Sequence, residues 1–399
     1  MTGRVLRIGV AGLGRAFTLM LPTFVADHRV RLVAAADPWE PARAQFARDF
    51  AAPTYSSVQD LCADPQVEVV YVATPHAQHA EQVALAAAHG KHLLVEKPMA
   101  ITLEQCHAMV SAAASAKVQL VVGHSHSFNQ PILQTRRLID SGRFGAVRML
   151  TALNFTDFLY RPRRPEELDT RAGGGVIHSQ AAHQIDILRL LGGGVVETVL
   201  AQTGNWDAAR PTEGAYQALL RFRGGAFASA TYSGYGHFDS DALMDNHAEL
   251  GQAKSPADYG AARRRLAGTV DAQDEAQLKA QRNYGGKLYV AGAAMAAPMA
   301  HQHFGPVIIS CELADLRPTA TGVHIYGHTQ HELQSLAAPV VPRGEVIDEL
   351  VAAVVHGKAP LHSAAWARAT TEVCLAMLES ARTGGVQTMQ YQVDLQGNN

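Results

Sequence analysis

Residues 7–17 read Arg7-Ile8-Gly9-Val10-Ala11-Gly12-Leu13-Gly14-Arg15-Ala16-Phe17, and Asp37 follows at the end of a second apolar run. A short buried strand, a glycine-rich turn, a helix and then an acidic residue about twenty positions later are typical of a dinucleotide-binding βαβ unit. In this interpretation Gly12 permits the tight turn, and Gly14 lets the backbone approach the pyrophosphate at the helix N-terminus. Asp37 is placed to accept hydrogen bonds from the adenosine ribose. This favours NAD over NADP, because a carboxylate repels a 2′-phosphate.

Two further features of this half of the chain concern the cofactor. Phe17 stands where a small residue would let helix and strand pack closely, so we expect either a more distant helix or a phenylalanine ring beside the cofactor. The turn at residues 74–79 follows an apolar strand, at the sheet edge where doubly wound folds bind ligands; a capping turn with surface histidines is the competing interpretation. The predicted cofactor residues are Gly12, Gly14, Arg15, Ala16, Phe17, Asp37, Thr74, Pro75, His79, Glu96 and Lys97.

The composition is that of a globular protein with no general affinity for polyanions. Of 399 residues, 47% are hydrophobic and 18% are charged, and the net charge of −2 gives no attraction to nucleic acid or to an anionic membrane. No run approaches the roughly 18 apolar residues of a membrane span. The N-terminus lacks a signal-peptide layout, so we expect a cytoplasmic protein. The cysteines are far apart and the histidine pairs lack companion ligands, so we expect no bound metal.

Strand and helix signals alternate through the first 125 residues and change character afterwards. Short apolar segments separated by helices predict a parallel sheet covered on both faces. In the second half, longer segments without regular helices between them predict an open, mainly antiparallel sheet. The expected fold class is therefore α/β, with a doubly wound Rossmann domain at residues 1–125 and an α/β substrate and oligomerisation domain at residues 126–399. We expect the C-terminal helix, at about residues 363–381, to pack back on the first domain.

Two side chains are candidates for proton transfer. Lys97 lies in the sequence Glu96-Lys97-Pro98 at the end of a predicted strand. At this position it could stabilise a developing alkoxide or relay a proton. His183 lies four residues after Ser179 on the helix that follows Gly173-Gly174-Gly175, and its ordinary pKa suits a general acid or base. A solvated lysine and a buried, hydrogen-bonded histidine are the competing interpretations. We expect Asp186 to anchor the helix rather than to react.

The glycine-rich turn, Glu96-Lys97-Pro98 and the helix from Gly173 to Asp186 together resemble the Gfo/Idh/MocA oxidoreductase family, over nearly the whole chain. The resemblance implies a Rossmann domain, a second open-sheet domain, NAD(P) between them, and a dimer or tetramer. It also implies that Lys97 and His183 are catalytic. Members of the family often carry an aspartate four residues before the histidine, where this chain has Ser179. That departure counts against a sugar dehydrogenase with an Asp–His pair, and it leaves open which side chain moves the proton.

Residues 154–168, 179–184 and 309–318 carry a narrower resemblance, to bacterial phthalate 4,5-cis-dihydrodiol dehydrogenases. It implies NAD-dependent oxidation of an aromatic cis-dihydrodiol carboxylate to the catechol, which is 4,5-dihydroxyphthalate in the named case. Guanidinium groups bind carboxylates in a bidentate manner, and several arginines precede the helix that carries His183. A surface loop whose arginines pair with neighbouring acids is the alternative. The predicted substrate residues are Arg161, Arg163, Arg164, His124, His126 and Tyr160.

Other activities stay open at this point. The first alternative is an NAD(P)-dependent dehydrogenase of a polyol, sugar or sugar acid. The second is a glycosidase that retains its NAD, and the third is a protein that senses NAD without catalysis. For the preferred function we expect a small anionic substrate and a homodimer or homotetramer. The oligomer would form through the exposed face of the C-terminal sheet, because a bare sheet face is otherwise left open.

Overall fold

The structure is a computed structural model that describes residues 4–269, 271–290 and 299–395. The chain divides into two compact units, and each unit is assembled from segments that are distant in sequence. Unit 1 comprises the described parts of Met1–His124, Ala276–Ala297 and Val340–Arg368, and unit 2 those of Ser125–Glu275, Pro298–Pro339 and Ala369–Asn399. The first boundary lies one residue from the predicted one. The prediction assigns all of residues 126–399 to one continuous second domain, whereas the described parts of Ala276–Ala297 and Val340–Arg368 group with unit 1. No local sequence pattern indicates which sheet such segments join.

Unit 1 is built on a sheet with strands β1 (Leu6–Ala11), β2 (Val30–Ala36), β3 (Thr54–Tyr55), β4 (Val69–Val72), β5 (His92–Val95) and β6 (Leu120–Val122). The helices between them are α1 (Arg15–Ala26), α2 (Glu40–Phe50), α3 (Val58–Ala63), α4 (His79–Ala88) and α5 (Leu103–Ala116). The strands are parallel, in the order β3-β2-β1-β4-β5-β6. The order reverses between β1 and β4, so the carboxyl ends of these strands form the switch point where doubly wound sheets bind ligands.

The strands of unit 1 are apolar because both faces of the sheet are covered. Every residue of β4 is buried, and Ile8 and Val10 of β1 have no exposed surface. Helix α5 is capped at its N-terminus, because the Thr102 hydroxyl accepts the Gln105 N–H at 3.2 Å. These features confirm the predicted Rossmann sheet.

Unit 2 contains a larger sheet with strands β7 (Val147–Phe155), β8 (Val196–Gly204), β9 (Ala215–Phe222), β10 (Phe227–Ser233), β11 (Val307–Cys311), β12 (Ala314–Thr319), β13 (Gly322–Gly327), β14 (His331–Ser335) and β15 (Gln387–Thr388). Their order is β14-β13-β12-β11-β7-β10-β9-β8-β15. Only β7 and β10 pair in parallel among these described strands, so the sheet is mixed but mainly antiparallel, as expected.

The helices in the remainder of the described chain are α6 (Gln130–Asp140), α7 (Ala182–Gly192), α8 (Ala261–Leu266), α9 (Ala272–Ala280), α10 (Gly344–His356) and α11 (Ala364–Thr383). Within unit 2, α6 and α7 pack on one face of the sheet. Leu150, Leu220 and Ala228 point to that covered face and are buried. On the opposite face, Leu219 and Phe227 are 59% and 53% exposed. One face of this sheet is therefore core, and the other carries apolar side chains toward solvent.

The last segment of unit 1, Val340–Arg368, includes α10 and the start of α11. It reaches the edge strand β6, where the Val122 N–H donates to the His362 carbonyl at 2.9 Å and Val121 forms a bridge with Ser363. His362 is in turn held by Glu349, whose Oε2 lies 2.8 Å from Nδ1 of the imidazole. Among the described helices none has the length and apolar character needed to cross a membrane.

Candidate active site

The glycine-rich turn of unit 1 has the geometry that a dinucleotide requires. Gly12 has φ of +93°, and a Cβ there would lie 2.9 Å from the Ala73 carbonyl oxygen. Gly14 precedes the first residue of α1, and a Cβ there would meet no atom within 4 Å. The first turn of α1 contains no acidic residue, so the positive end of its dipole is uncompensated. The residues present therefore fit a pyrophosphate, with open space at Gly14 and helix N–H groups beside it.

Asp37, the predicted ribose-binding residue, fixes this turn. Its Oδ2 accepts the Leu13 N–H at 2.7 Å, and its Oδ1 accepts the Trp39 N–H at 2.8 Å. Each carboxylate oxygen keeps capacity for a second hydrogen bond, so the ribose hydroxyls can still be bound. Arg43 donates to the Asp37 and Pro38 carbonyl oxygens, at 2.7 and 3.0 Å, and so lies close to the same loop.

Phe17 does not take the cofactor-facing position that was one of its two predicted outcomes. Its side chain has no exposed surface. Its ring meets Tyr284 edge-on, with centroids 5.1 Å apart, and lies 6.1 Å from the Phe46 ring. Tyr284 belongs to the second segment of unit 1, Ala276–Ala297. No sequence pattern around Phe17 indicates that this segment packs against it. The large side chain therefore packs α1 against α2 and this segment, while its neighbours Arg15 and Ala16 remain partly or fully exposed.

His79 acts as a buried connector between two loops rather than as a cofactor contact. It has no exposed surface, its Nε2 lies 3.0 Å from the Thr74 carbonyl oxygen, and its Nδ1 lies 3.1 Å from that of Pro98. Burial lowers the pKa of His79, which keeps the ring neutral. The predicted direct contact with the cofactor is thus replaced by a positioning role, since a ligand cannot reach a fully enclosed ring. Thr74 itself donates through its hydroxyl to Gln82 at 2.7 Å.

Glu96 is likewise enclosed, while Lys97 beside it is half-buried. The Tyr71 hydroxyl donates to Glu96 Oε1 at 2.6 Å, and burial raises the pKa of this carboxyl group. The Lys97–Pro98 peptide bond is cis. Glu96 therefore anchors the end of β5 to β4, whereas Lys97 remains the proton-transfer candidate of this motif.

In unit 2, two of the three glycines before His183, Gly174 and Gly175, are required by close packing. A Cβ on Gly174 would lie 2.6 Å from the Glu167 carbonyl oxygen. Gly175 has φ of +79°, and a Cβ there would collide with the Glu213 carboxylate. That same carboxylate accepts the Ile177 N–H at 3.1 Å. The chain then passes through a π-helical turn at Ile177–Ala181 before entering α7, and such turns are frequent at functional sites.

The side chains next to His183 form an aromatic cluster, which we define as His126, His183, Phe304 and Tyr232. The rings of His126 and His183 meet edge-on, with centroids 4.6 Å apart. Phe304 lies 5.3 Å from His126 and 5.0 Å from His183, and Tyr232 stacks on Phe304 at 6.0 Å. His126 and His183 are 1% and 6% exposed. Phe304 and Tyr232 are 2% and 1% exposed, so the cluster is a packed aromatic environment around the His183 imidazole.

Hydrogen bonds fix the protonation of His126 within this cluster. The Asn129 amide donates to the Gln302 carbonyl at 2.8 Å and lies 2.9 Å from His126 Nδ1. Nε2 of His126 lies 3.3 Å from Glu249 Oε1. Burial acts to raise the pKa of Glu249, but His126 and Arg161 outweigh it and bring that pKa to about 2. Glu249 is therefore an anion that accepts a hydrogen bond from the imidazole.

The three predicted substrate arginines have different environments. Arg161 lies 3.9 Å from Glu249 and 3.3 Å from Asp157, which joins it to the aromatic cluster through Glu249. Arg163 stacks over the Phe158 ring at 3.6 Å and donates to the Phe158 carbonyl at 2.7 Å, and burial lowers its pKa to about 10. Arg164 pairs with Glu166 at 3.0 Å and with Glu167 at 3.5 Å. Arg161 is thus the arginine best placed to meet a ligand at the cluster, and the other two have structural partners, as the alternative interpretation expected.

The remaining predicted residues take separate positions. The Tyr160 hydroxyl donates to Asp207 at 3.0 Å, and its ring lies under the Arg263 guanidinium at 3.9 Å. His124 is the last residue of the first segment of unit 1 and is 2% exposed. Asp186 anchors α7, as expected, because it accepts hydrogen bonds from the Ser127 hydroxyl and, at 2.8 Å, from the Thr370 hydroxyl.

Sequence reasoning missed Glu249, Asn129, Phe304 and Tyr232. Glu249 falls in a polar segment that sequence alone suggests is a surface excursion, and Phe304 is a single aromatic residue in an irregular stretch. Neither carries a local signal, since their proximity to His183 depends on the tertiary fold. Within residues 4–269, 271–290 and 299–395, no group of three or more histidine, cysteine, aspartate or glutamate side chains is arranged to hold a metal ion.

Comparison with known proteins identifies relatives of both units. Residues 6–124 match the model described as "Oxidoreductase family, NAD-binding Rossmann fold", and residues 132–251 match the "GFO/IDH/MocA C-terminal domain". The chain is 47% identical over 378 residues to a 1-carboxy-3-chloro-3,4-dihydroxycyclohexa-1,5-diene dehydrogenase from Comamonas testosteroni, an alignment that covers 94% of this chain and 95% of that protein. It is 30% identical over 218 residues to a 2,7-anhydro-N-acetylneuraminate hydratase from Escherichia coli (strain K12), covering 54% of this chain and 57% of the relative.

A solved structure of a protein from Bordetella bronchiseptica RB50 is similar to the fold as a whole. It superposes with a TM-score of 0.91 at 38% identity, and the match covers 96% of this chain and 100% of that one. The two family models together cover more than half of the chain. This chain belongs to the Gfo/Idh/MocA oxidoreductase family.

Proposed function

We propose that the chain is an NAD-dependent dehydrogenase that oxidises a carboxylated cis-dihydrodiol of a cyclohexadiene ring to the corresponding catechol. Phthalate 4,5-cis-dihydrodiol, which would give 4,5-dihydroxyphthalate, is the substrate that we propose to test first. The observation that carries the proposal is 47% identity, along 94% of the chain, to a dehydrogenase whose name specifies a carboxylated dihydroxycyclohexadiene. Asp37 supports NAD as the cofactor, because its carboxylate disfavours a 2′-phosphate.

The aromatic cluster of unit 2 agrees with such a substrate. The side chains packed around His183 are aromatic, an environment that suits a nearly planar, apolar cyclohexadiene ring. Its carboxylate needs a cation, and the Arg161 guanidinium is linked to the same cluster through Glu249. A sugar or inositol ring would instead need many hydrogen-bond partners for its hydroxyl groups, which an aromatic environment around His183 supplies less well.

The proposed reaction divides the work between the chain and the cofactor. NAD, when bound, accepts the hydride from the ring carbon that carries the reacting hydroxyl. Lys97 or His183 removes the proton of that hydroxyl, and the ketone that results tautomerises to an aromatic catechol. This last step makes oxidation the favoured direction. The residues of the glycine-rich turn hold the cofactor, and Arg161 orients the ring through its carboxylate.

The test is NADH formation, followed by absorbance, with purified protein, NAD and a panel of ring substrates. Phthalate cis-4,5-dihydrodiol and a benzoate cis-dihydrodiol should be oxidised, whereas inositol and glucose should not. Arg161 already neighbours two carboxylates, Glu249 and Asp157, so comparing the dicarboxylate with the monocarboxylate tests how many negative charges the site accepts. Oxidation of inositol or a sugar acid without any diol oxidation would overturn the proposal.

Variants of the two proton-transfer candidates test their roles. We expect Lys97→Ala and His183→Ala each to lower kcat by about 100-fold or more, the usual cost of losing an acid–base group. Lys358→Ala is the matched control, because Lys358 is an exposed lysine of unit 1. If Lys97→Ala leaves turnover unchanged, Lys97 has no part in proton transfer or alkoxide stabilisation.

We also infer that two or more copies of the chain associate through the exposed face of the unit 2 sheet. Five apolar side chains on that face, Met149, Leu200, Leu219, Phe227 and Ile308, are each at least 37% exposed. The registers of β7 to β11 bring them onto one side. A contiguous apolar sheet face of this size marks an interaction surface, and a second copy of the same flat face is the partner that fits it by symmetry.

A further inference from the structure

The hydrogen bonds around His126 define a single tautomer. The Asn129 amide has two N–H donors, of which one is directed to the Gln302 carbonyl and the other to His126 Nδ1. The Gln302 carbonyl can only accept, so the orientation of the Asn129 amide is determined. His126 Nδ1 is therefore an acceptor, and its proton resides on Nε2, from which it is donated to Glu249.

This fixed imidazole lies directly against His183. The two rings meet edge-on at 4.6 Å, with an angle of 69° between their planes, and Phe304 touches both. His126 is 1% exposed, so it is held from all sides and is poorly placed to contact a substrate itself. Any rotation of His126 would have to move His183, because the interior around both rings is closely packed.

Ser179, one turn before His183, is occupied elsewhere. Its hydroxyl donates to the Gly175 carbonyl, four residues earlier, so it satisfies the backbone at the π-helical turn. A serine hydroxyl also lacks the charge of a carboxylate. A carboxylate that acts on the His183 region must therefore come from another part of the fold, and Glu249 is 123 residues away from His126 in sequence.

We propose that Glu249 is a positioning residue, which acts through His126 to hold the His183 imidazole in the orientation that proton transfer requires. Glu249 fixes the tautomer and ring plane of His126, and His126 then restrains His183 by ring contact. Arg161, 3.9 Å from Glu249, and the His303 N–H, which donates to the Glu249 carbonyl at 3.1 Å, hold the glutamate in place. The inference rests on the proposed function only for the identity of the reaction in which His183 takes part.

The experiment compares Glu249→Ala with Glu249→Gln in the full chain. The glutamine retains an oxygen that can accept a hydrogen bond from the His126 Nε2–H group, whereas the alanine does not. We expect Glu249→Ala to lower kcat by about 10-fold to 100-fold, the range produced by losing one hydrogen bond to a charged group. KM should stay within about 2-fold, and Glu249→Gln should restore kcat to within about 3-fold of the original protein. Glu379→Gln is the control, because Glu379 pairs with Arg382 at the surface of unit 2.

A second readout needs no substrate. In protein labelled with ¹⁵N-histidine, the signals of His126 and His183 are assigned from His126→Gln and His183→Gln. In the original protein His126 should show a protonated Nε2 and a bare Nδ1. In Glu249→Ala this pattern should give way to a mixture of tautomers, with a shift of the His183 signals.

Several outcomes would overturn the inference. A rise in KM with unchanged kcat would mean that Glu249 acts on substrate binding through Arg161. Equal losses in Glu249→Gln and Glu249→Ala would mean that its charge, and not the hydrogen bond, matters. Unchanged histidine signals in Glu249→Ala would show that Glu249 does not determine the tautomer. If no diol is oxidised by the original protein, the proposed function fails, and the histidine signals still decide this inference.

Discussion

Two glycines of the nucleotide-binding turn, Gly12 and Gly14, should respond to alanine in different ways. At Gly12, with φ of +93°, an alanine costs about 1–2 kcal/mol for a left-handed backbone. Its Cβ would also lie 2.9 Å from the Ala73 carbonyl oxygen, and such overpacking adds roughly 1–3 kcal/mol. We therefore expect Gly12→Ala to lower the free energy of unfolding by about 2–4 kcal/mol and, for a chain of 399 residues, the apo Tm by about 2–5 °C.

At Gly14 the backbone is ordinary, with φ of −78°, and the added Cβ would meet no atom within 4 Å. The apo Tm should change by no more than about 1 °C, because the variant loses only the preference for glycine over alanine at the N-cap, roughly 1 kcal/mol. The new methyl group occupies the space that a pyrophosphate needs, so the Kd for NADH should rise by about 10-fold or more.

The assay combines thermal unfolding of the apo protein, followed by circular dichroism, with fluorescence titration of NADH. Both variants should bind NADH poorly, but only Gly12→Ala should lose stability. If Gly14→Ala retains the original Kd, the pyrophosphate does not approach Gly14. If it loses as much stability as Gly12→Ala, the open space described at this position is wrong.

Three further predictions concern packing, pH and assembly. Phe17→Ala should lower the free energy of unfolding by about 3–5 kcal/mol in denaturant titration, because Phe17 is fully buried; a loss below about 1 kcal/mol would contradict its packing role. Burial lowers the pKa of His178 to about 4 from 6.5, so the unfolded chain binds the extra proton between these pH values, and stability should fall by up to about 3 kcal/mol as pH decreases from 6.5 to 4. His178→Gln should flatten this dependence, and an unchanged pH profile in that variant would refute the assignment. Leu219→Glu should shift the mass measured by light scattering toward the monomer, whereas Val25→Glu, at an exposed apolar position of unit 1, should not; an unchanged mass in Leu219→Glu would exclude this sheet face as the interface.

The parts of the site that could be predicted from sequence are those that depend on local order along the chain. Gly12, Gly14 and Asp37 lie within one βαβ unit, and the physical demands of a tight turn and a phosphate site restrict the residue types at each position. The alternation of short apolar segments with helices is likewise local, which explains why the Rossmann sheet was predictable. Lys97 could be singled out because a proline follows it at the end of a strand.

The parts that could not be predicted depend on contacts between distant segments. Glu249 contacts His126 from a polar segment, and Tyr284 contacts Phe17 from the second segment of unit 1. Neither segment carries a sequence pattern that indicates these contacts. The fully buried position of His79 could not be inferred either, because a histidine after a strand end looks the same whether its ring faces a ligand or backbone carbonyls. The same limit applied to the arginines, because the sequence does not indicate that Arg161 neighbours Glu249 or that Arg164 pairs with Glu166 and Glu167.

The discontinuous make-up of unit 1 has a consequence for synthesis of the chain. The edge of β6 is paired by residues near His362, which leave the ribosome about 240 residues after β6 itself. At roughly 5–20 residues per second, the nascent Rossmann sheet spends tens of seconds with an open edge, the kind of surface on which other chains pair and aggregate. A chain truncated after residue 125 would keep that edge open permanently. Expression of the N-terminal segment alone should therefore yield an aggregation-prone product, because the segment around His362 that pairs with the β6 edge is synthesised late and would be missing.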